Sequence, residues 1–312
     1  MIKYVAHKHI NKSKWDEAVA ASLNSYIYAL SWYLDIVTGN SWDALIKDDY
    51  EMVMPLPFSE KLGIKYIHQP VFTQQLGIFY KSTCSNFDII EFLRAIPPKF
   101  RLIEQNFNKF LYGRLPRQYV VKQNINYELE ITGDYSKIYS AYSTNNKRNI
   151  KKAGKNNLKF VNYVKPETLV DLFKQNKGKQ IKAFDEDDYR KLIRLAYMLM
   201  HKGKAIIAGA TNEQNTVLGG VLLVRSKGRL ILLFTGLSPE GKEKGAMPFI
   251  IDTLIKMQGE ANIIFDFEGS NDAGLARFFA GFGATAFKYE RLEINRLNPL
   301  LKNAKKLYSK LR

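Results

Sequence analysis

The sequence predicts an α/β chain of the α+β kind, made of two similar units in tandem, each a mostly antiparallel mixed sheet flanked by helices. Three observations carry this reading. At 312 residues the chain is long for one domain. Short apolar strand-like runs and helical stretches follow one another in the same order in both halves. Gly63 of the first half matches Gly228 of the second, each at the turn of a hairpin that leads to a helix and a further strand, the pattern of a diverged duplication.

In the first half, Trp15, Val19, Leu23, Tyr26 and Leu30 recur at three- and four-residue spacings and predict one helix over 13–33. Strands are predicted at 42–47, 50–57 and 64–68, separated by turns at Asp48-Asp49 and Gly63. A loop rich in Gln and Gly, Gln74-Gln75-Leu76-Gly77, leads to a helix over 87–96, which Pro97-Pro98 ends, and to a strand over 101–105. Residues 138–182 read as helical, basic and poor in strand formers. Asp185-Glu186-Asp187-Asp188 then opens an amphipathic helix, its acids in the first turn where the helix dipole favours them.

The second half repeats the order. Strands are predicted at 205–210, 217–225 and 229–235, with polar turns between them. A Gly-rich loop over 236–246 opens a helix over 247–257. A buried strand over 262–267 ends in Glu268-Gly269-Ser270, and a helix over 273–280 closes on Gly281-Phe282-Gly283. The expected domains are 1–133 and 134–295, the second including the basic linker 138–182. A basic amphipathic helix over 296–312 follows, with Leu297, Leu300, Ala304, Leu307 and Leu311 on one face.

Composition narrows the function classes. An apolar fraction of 46% suits a globular protein, and no run approaches the roughly 18 apolar residues of a membrane span. The start, Met1-Ile2-Lys3-Tyr4, has no apolar signal-peptide core behind it. A single cysteine, Cys84, excludes an internal disulfide framework, so a cytoplasmic setting is expected. The net charge of +17 points to anionic partners. It is unevenly placed: 145–182 holds eleven Lys and Arg against Glu167 and Asp171, and 296–312 holds six with no acid. Neither a GxSxG elbow nor a His, Cys and carboxylate cluster of metal-ligand spacing is present, so no metal is expected.

Three segments carry candidate chemistry. Gly236 to Glu243 has P-loop spacing, but Glu243 stands where a hydroxyl would ligate Mg²⁺, and the preceding strand ends a meander; a nucleotide triphosphatase is the weakest reading. Lys242, Lys244, Gly245 and Ala246 precede a helix, where backbone N–H groups and the positive dipole end can hold an anion; a solvated turn is the plain alternative. Strand alternation puts Asp266 and Glu268 on one face, placed to orient or deprotonate an amine, or else to cap the next helix with Ser270 and Asn271.

Two blocks carry a family resemblance. The run Asn146-Lys147-Arg148-Asn149-Ile150-Lys151-Lys152-Ala153-Gly154-Lys155 resembles the stretch joining the halves of FemAB-like proteins, a branch of the GNAT acyltransferase superfamily. Phe265-Asp266-Phe267-Glu268-Gly269-Ser270, with Arg277-Phe278-Phe279 and Gly281-Phe282-Gly283-Ala284, resembles the ending of that family's second domain. Ser31-Trp32-Tyr33 and the Gln74-Gln75 loop are similar to relatives in the same group.

The resemblance implies two GNAT-like domains and transfer of an acyl or aminoacyl group from acyl-CoA or aminoacyl-tRNA to a small-molecule or peptide amine; a monomeric chain is expected. It implies a substrate cleft formed by Trp32, Tyr33, Gln74, Gln75, Thr235, Ser270 and Asn271. Asp266 and Glu268 would act as catalytic groups, Lys242, Lys244, Gly245 and Ala246 with Thr235 as the donor site, and Lys147, Arg148, Lys151 and Lys152 as a basic patch for tRNA. The acyl-CoA signature is met in part only, since Lys242 stands in place of its leading Arg or Gln. A non-catalytic module binding RNA or another ligand on the same duplicated fold is the alternative.

Overall fold

A computed structural model describes residues 1–84, 87–110, 115–116, 119–180, 184–259, 261–269, 271–299 and 302. The chain forms two compact units, 1–123 with 289–312, and 124–288. The expected division at 133/134 and the expected end of the second domain at 295 both differ from this, for a reason that lies in two strands.

The first half of the sequence gives β1 (Ile2–Val5), α1 (Lys12–Ala21), α2 (Ser31–Thr38), β2 (Trp42–Lys47), β3 (Met52–Lys61), β4 (Ile64–Ile67), β5 (Phe79–Tyr80), α3 (Ile89–Ala95), β6 (Phe100–Asn106) and β7 (Val120–Ile131). The second gives α4 (Tyr135–Ser140), α5 (Thr144–Lys155), β8 (Lys159–Val161), α6 (Pro166–Gln175), α7 (Glu186–His201), β9 (Ala205–Thr211), β10 (Val217–Ser226), β11 (Arg229–Leu237), α8 (Pro239–Lys244), α9 (Ala246–Gln258), β12 (Ile263–Asp266), α10 (Ala273–Ala280) and β13 (Thr285–Asn295).

The two units repeat one plan. In the first, β2, β3 and β4 form an antiparallel meander, and β6 returns parallel to β4 after α3. In the second, β9, β10 and β11 form the meander, and β12 returns parallel to β11 after α9. Each sheet is then extended by an antiparallel strand taken from the other half of the sequence: β13 pairs with β6, and β7 pairs with β12. This exchange of closing strands moves the unit boundaries into β7 and β13.

Each sheet is covered by helices that bury apolar faces. In the first unit, Phe92 and Leu93 of α3 pack with Phe100, Ile103, Leu292 and Ile294. Trp15 of α1 packs on Trp42 with ring centroids 5.0 Å apart and donates its indole N–H to the Ala29 carbonyl at 2.7 Å. In the second, Ile250, Ile251, Leu254 and Ile255 of α9 lie on one side of the sheet with Phe265, Phe267, Phe279 and Phe282, each such side chain contributing roughly 1.5–3 kcal/mol on burial. On the other side, Leu169 and Val170 of α6 and Leu192 and Ala196 of α7 meet Ile207, Leu222 and Phe234. The acidic opening of α7 is a capping box between Asp185 and Asp188.

Some expectations are corrected. The helix expected over 13–33 is two helices, because Asn24 leaves the helical path to donate to the Ile78 carbonyl at 2.7 Å and accept from the Tyr80 N–H at 3.3 Å. The open loop expected over 236–246 is partly strand and mostly α8: Ser238 caps it by accepting from the Gly241 N–H, and Pro239 sits in its first turn. That helix occupies the segment a P-loop would need as an open phosphate cradle. Of the expected helix over 296–312, most lies outside the described residues; Arg296 donates to the Ile96 and Pro97 carbonyls at 3.0 and 3.2 Å, and Leu297 is buried.

Candidate active site

The second unit holds the residues from which chemistry can be built. β11 and β12 run parallel, with Arg229, Leu230 and Ile231 in register with Ile264, Phe265 and Asp266. β12 is four residues long and β11 nine, so the pair ends at Ile231 while β11 runs on to Leu237. Between Leu232 and Phe234, Leu233 is an extra residue relative to β10, a β-bulge. Past the bulge, β11 has β10 on one side and no paired β12 residue on the other. A strand edge of this kind offers backbone N–H and C=O groups to any extended amide laid along it.

Asp266 does not sit on an open face. It is 1% exposed, accepts from Asn126 Nδ2 at 2.8 Å and from the Glu268 N–H at 3.0 Å, and lies 3.4 Å from Arg229 Nη1. Arg229, itself buried, also bonds the buried Glu128 of β7. Burial pushes the Asp266 carboxyl up, against the opposing pull of Asn126 and Arg229. Asp266 is therefore a buried pin joining β7, β11 and β12, and its expected role as a base is corrected on that ground. Its register with Ile231 places it five residues, about 17 Å at about 3.3 Å per strand residue, before Gly236 on the parallel strand.

Glu268 follows at the end of β12, half-buried, with φ of 51°. The turn it forms with Gly269 is pressed on β7: a Cβ at Gly269 would stand 2.3 Å from the Ile125 carbonyl oxygen. Glycine is required there both by that approach and by its φ of 53°. Ser270 lies outside the described residues. Asn271 is exposed, accepts from the Ile125 N–H at 3.2 Å and donates to Asn124 Oδ1 at 3.1 Å; the cap of α10 is Asp272 instead, accepting from Gly274 and Leu275.

The expected donor site is rearranged. The Gly245 N–H donates to the Gly241 carbonyl, closing α8, so it is not free to hold phosphate. Gly245 also abuts α5, where a Cβ would lie 2.5 Å from the Asn149 carbonyl oxygen, at a φ of 80°. Gly245→Ala is expected to lower stability by more than about 1 kcal/mol, read as a shifted denaturant midpoint; an unshifted midpoint would mean the α5–α9 approach can relax. Ala246 is buried. Lys242 is exposed, and Lys244 pairs with Glu240 at 2.7 Å one turn away. Such a pair contributes only about 0.3–0.5 kcal/mol, so a phosphate can compete for Lys244. Thr235 is half-buried on the far stretch of β11, beyond the pairing with β12.

In the first unit, Tyr33 is buried with its hydroxyl on the Phe72 carbonyl, and half-buried Trp32 packs edge-on against it at 5.7 Å. Gln75 is fully buried, donating to Gln74 Oε1 at 2.6 Å and accepting from the Lys109 N–H at 3.1 Å. Asn106 holds the Gln74 carbonyl at 2.8 Å, and Asn108 holds that of Leu76 at 3.1 Å. Tyr33 and Gln75 thus pin the loop rather than line a surface, a correction whose cause is the buried amide network. On α5, Arg148, Lys151 and Lys152 are exposed, while Lys147 donates to the Ser140 carbonyl at 2.8 Å over the Tyr139 ring.

No family model matches the sequence, and no curated protein matches it. Solved structures do match. A structure of FemX superposes with a TM-score of 0.63 at 14% identity over 92% of this chain and 96% of that one. The chain has the fold of FemX. A protein of unknown function from Bacteroides thetaiotaomicron VPI-5482 follows at 0.60 and 11%, over 94% and 99%. L-PGS from Bacillus licheniformis matches at 0.55 and 12%, over 93% and 94%. The FemX fold agrees with the resemblance carried by the two sequence blocks. Arg229, Glu128 and Asn126, which brace Asp266 within that fold, were not singled out from the sequence. A lone arginine opening an apolar strand is the one signal that marks them.

Proposed function

We propose that the chain is an acyl- or aminoacyl-transferase that moves an acyl group from a phosphate-containing donor to an amine, with the stretch of β11 past its pairing with β12 as the donor's seat. The observation that carries this is the parting of β11 from β12 after Ile231, next to the bulge at Leu233. An extended donor arm bearing amides can complete the edge, and a backbone N–H there can polarise the acyl carbonyl. The amine then attacks the carbonyl carbon, the bond to the thiol or ribose oxygen breaks, and the amine's proton passes to a base. Glu268, two residues past the end of β12 and half-buried, is in this reading the group that takes the proton. Lys242 and Lys244 supply charge for donor phosphate.

The fold of FemX supports a transferase of this kind, and the exposed face of α5 favours tRNA over CoA as the donor carrier. The test is direct binding of tRNA and of CoA to the purified protein across salt. If about four α5 side chains meet phosphates, tRNA affinity falls roughly 50–150-fold between about 50 and about 200 mM salt. Replacing Arg148, Lys151 and Lys152 by Gln flattens that slope. A salt-insensitive CoA complex with no tRNA binding would assign the donor to CoA instead. Binding of tRNA with no transfer under any acceptor would make the chain a binding module.

A further inference from the structure

The first unit contains a hydroxyl–imidazole pair that the transferase reading does not use. Ser59 of β3 stands in register with Tyr66 of β4, and His68 follows directly after β4. Side chains two residues apart on a strand share a face, so Ser59 and His68 are diagonal neighbours on one side of an antiparallel ladder. This face points away from the core, into which Phe58 and Ile67 turn. Ser59 Oγ lies 2.9 Å from His68 Nε2, and His68 Nδ1 lies 3.3 Å from the Gln69 carbonyl oxygen.

A carbonyl oxygen can only accept. The neutral imidazole therefore carries its proton on Nδ1, which leaves the Nε2 lone pair to accept from the Ser59 hydroxyl. The orienting group is itself held: Gln69 donates to the Thr73 carbonyl at 2.8 Å and accepts from the Asn106 N–H at 3.0 Å, and the His68 N–H donates to the Pro57 carbonyl at 3.1 Å. Tyr66 packs beside the imidazole at 5.6 Å between ring centroids. Ser59 and His68 are both half-buried, so a reagent can reach them.

We propose that Ser59 and His68 form a nucleophile–base pair that accepts an acyl group from an activated ester or thioester. A nucleophile bonded to a base that a third group orients is the arrangement that activates serine. Ser59 Oγ bonds to the acyl carbon as its proton passes to His68 Nε2. The bond to the leaving oxygen or sulfur breaks, and that atom takes the proton from His68. Water, deprotonated by the same nitrogen, then releases the carboxylic acid and frees Ser59. The third group is a main-chain carbonyl, not a carboxylate, so the imidazolium is less stabilised than in a triad; an acyl donor with a good leaving group is the substrate class that fits.

The pair involves neither β11 nor Glu268, so either reading can fail without the other. The test uses the intact chain and p-nitrophenyl acetate, with the acetylated residue located by peptide mass mapping. The expected result is a burst of p-nitrophenolate and acetyl on Ser59, both absent in Ser59→Ala. His68→Gln should slow acetylation about 100-fold or more. Ser59→Cys leaves His68 in place and checks the pair separately: the thiol it introduces should be alkylated by iodoacetamide faster than Cys84 at neutral pH. Acetyl found elsewhere than on Ser59, labelling in His68→Gln at the rate of the parent chain, or an introduced thiol no faster than Cys84 would each overturn the pair.

Discussion

Arg229→Met is expected to destabilise the second unit by about 3–5 kcal/mol, because it leaves Glu128 and Asp266 buried without their shared cation. For a unit of this size the melting temperature should fall by roughly 10 °C. The loss belongs to the stranded carboxylates rather than to the ion pair itself. Adding Glu128→Gln and Asp266→Asn to Arg229→Met should therefore recover much of it. The pH dependence has a definite sign. Burial holds the Asp266 carboxyl above its ordinary value, so the folded chain binds that proton more tightly than the unfolded chain. Its contribution is fully present below the unfolded value of about 3.9 and is lost as pH rises through the folded value. Removing Arg229 takes away the main opposing charge, so the variant should regain stability on acidification from neutral pH toward about 4. Melting curves across pH read this directly, and a variant whose stability falls on acidification as steeply as the parent's would remove Asp266 from the explanation.

Glu268→Gln carries the largest expected effect on activity. If Glu268 accepts the amine's proton, kcat should drop about 100–1,000-fold with KM little changed and the melting temperature unmoved. Gln keeps the shape and tolerates the same left-handed backbone about as well as Glu, which separates proton transfer from turn geometry. Asp266→Asn provides the contrast, with its main effect on stability. Turnover in Glu268→Gln within about twofold of the parent would remove the base and leave the β11 seat standing.

The sequence made the duplicated plan legible because each meander has its own punctuation: Gly63 and Gly228 sit at positive φ in corresponding turns. The helix pattern over 185–200 was equally readable, since its acids, its cap and its apolar face agree. The break at 22–30 was not, because the partners that draw Asn24 out of the helix, Ile78 and Tyr80, lie more than fifty residues away. β7 was not predicted although Ile125, Tyr127, Leu129 and Ile131 alternate at the strand period; the Glu128 and Asn126 between them are buried through long-range bonds to Arg229 and Asp266. α8 was also readable in principle, from Ser238-Pro239 at one end and Gly245 at the other. The two carboxylates of the 265–270 block looked equivalent by alternation, and only the long-range partner Arg229 tells them apart.

The exchange of closing strands has a consequence for how the protein is made. β6 leaves the ribosome long before β13, and Ile103 has to wait for Ile294 until the entire second unit has been synthesised. The second unit holds β7 to β12 once β12 emerges and lacks only Phe279, Phe282 and the start of β13, which follow within about twenty residues, so it can finish folding first. Until then the nascent first unit carries an open edge at β6 and lacks Leu292 and Ile294 from its interior, the state in which chains recruit one another. A gene cut between the halves would encode two fragments, each holding a strand the other needs. They would be soluble together and prone to aggregate apart.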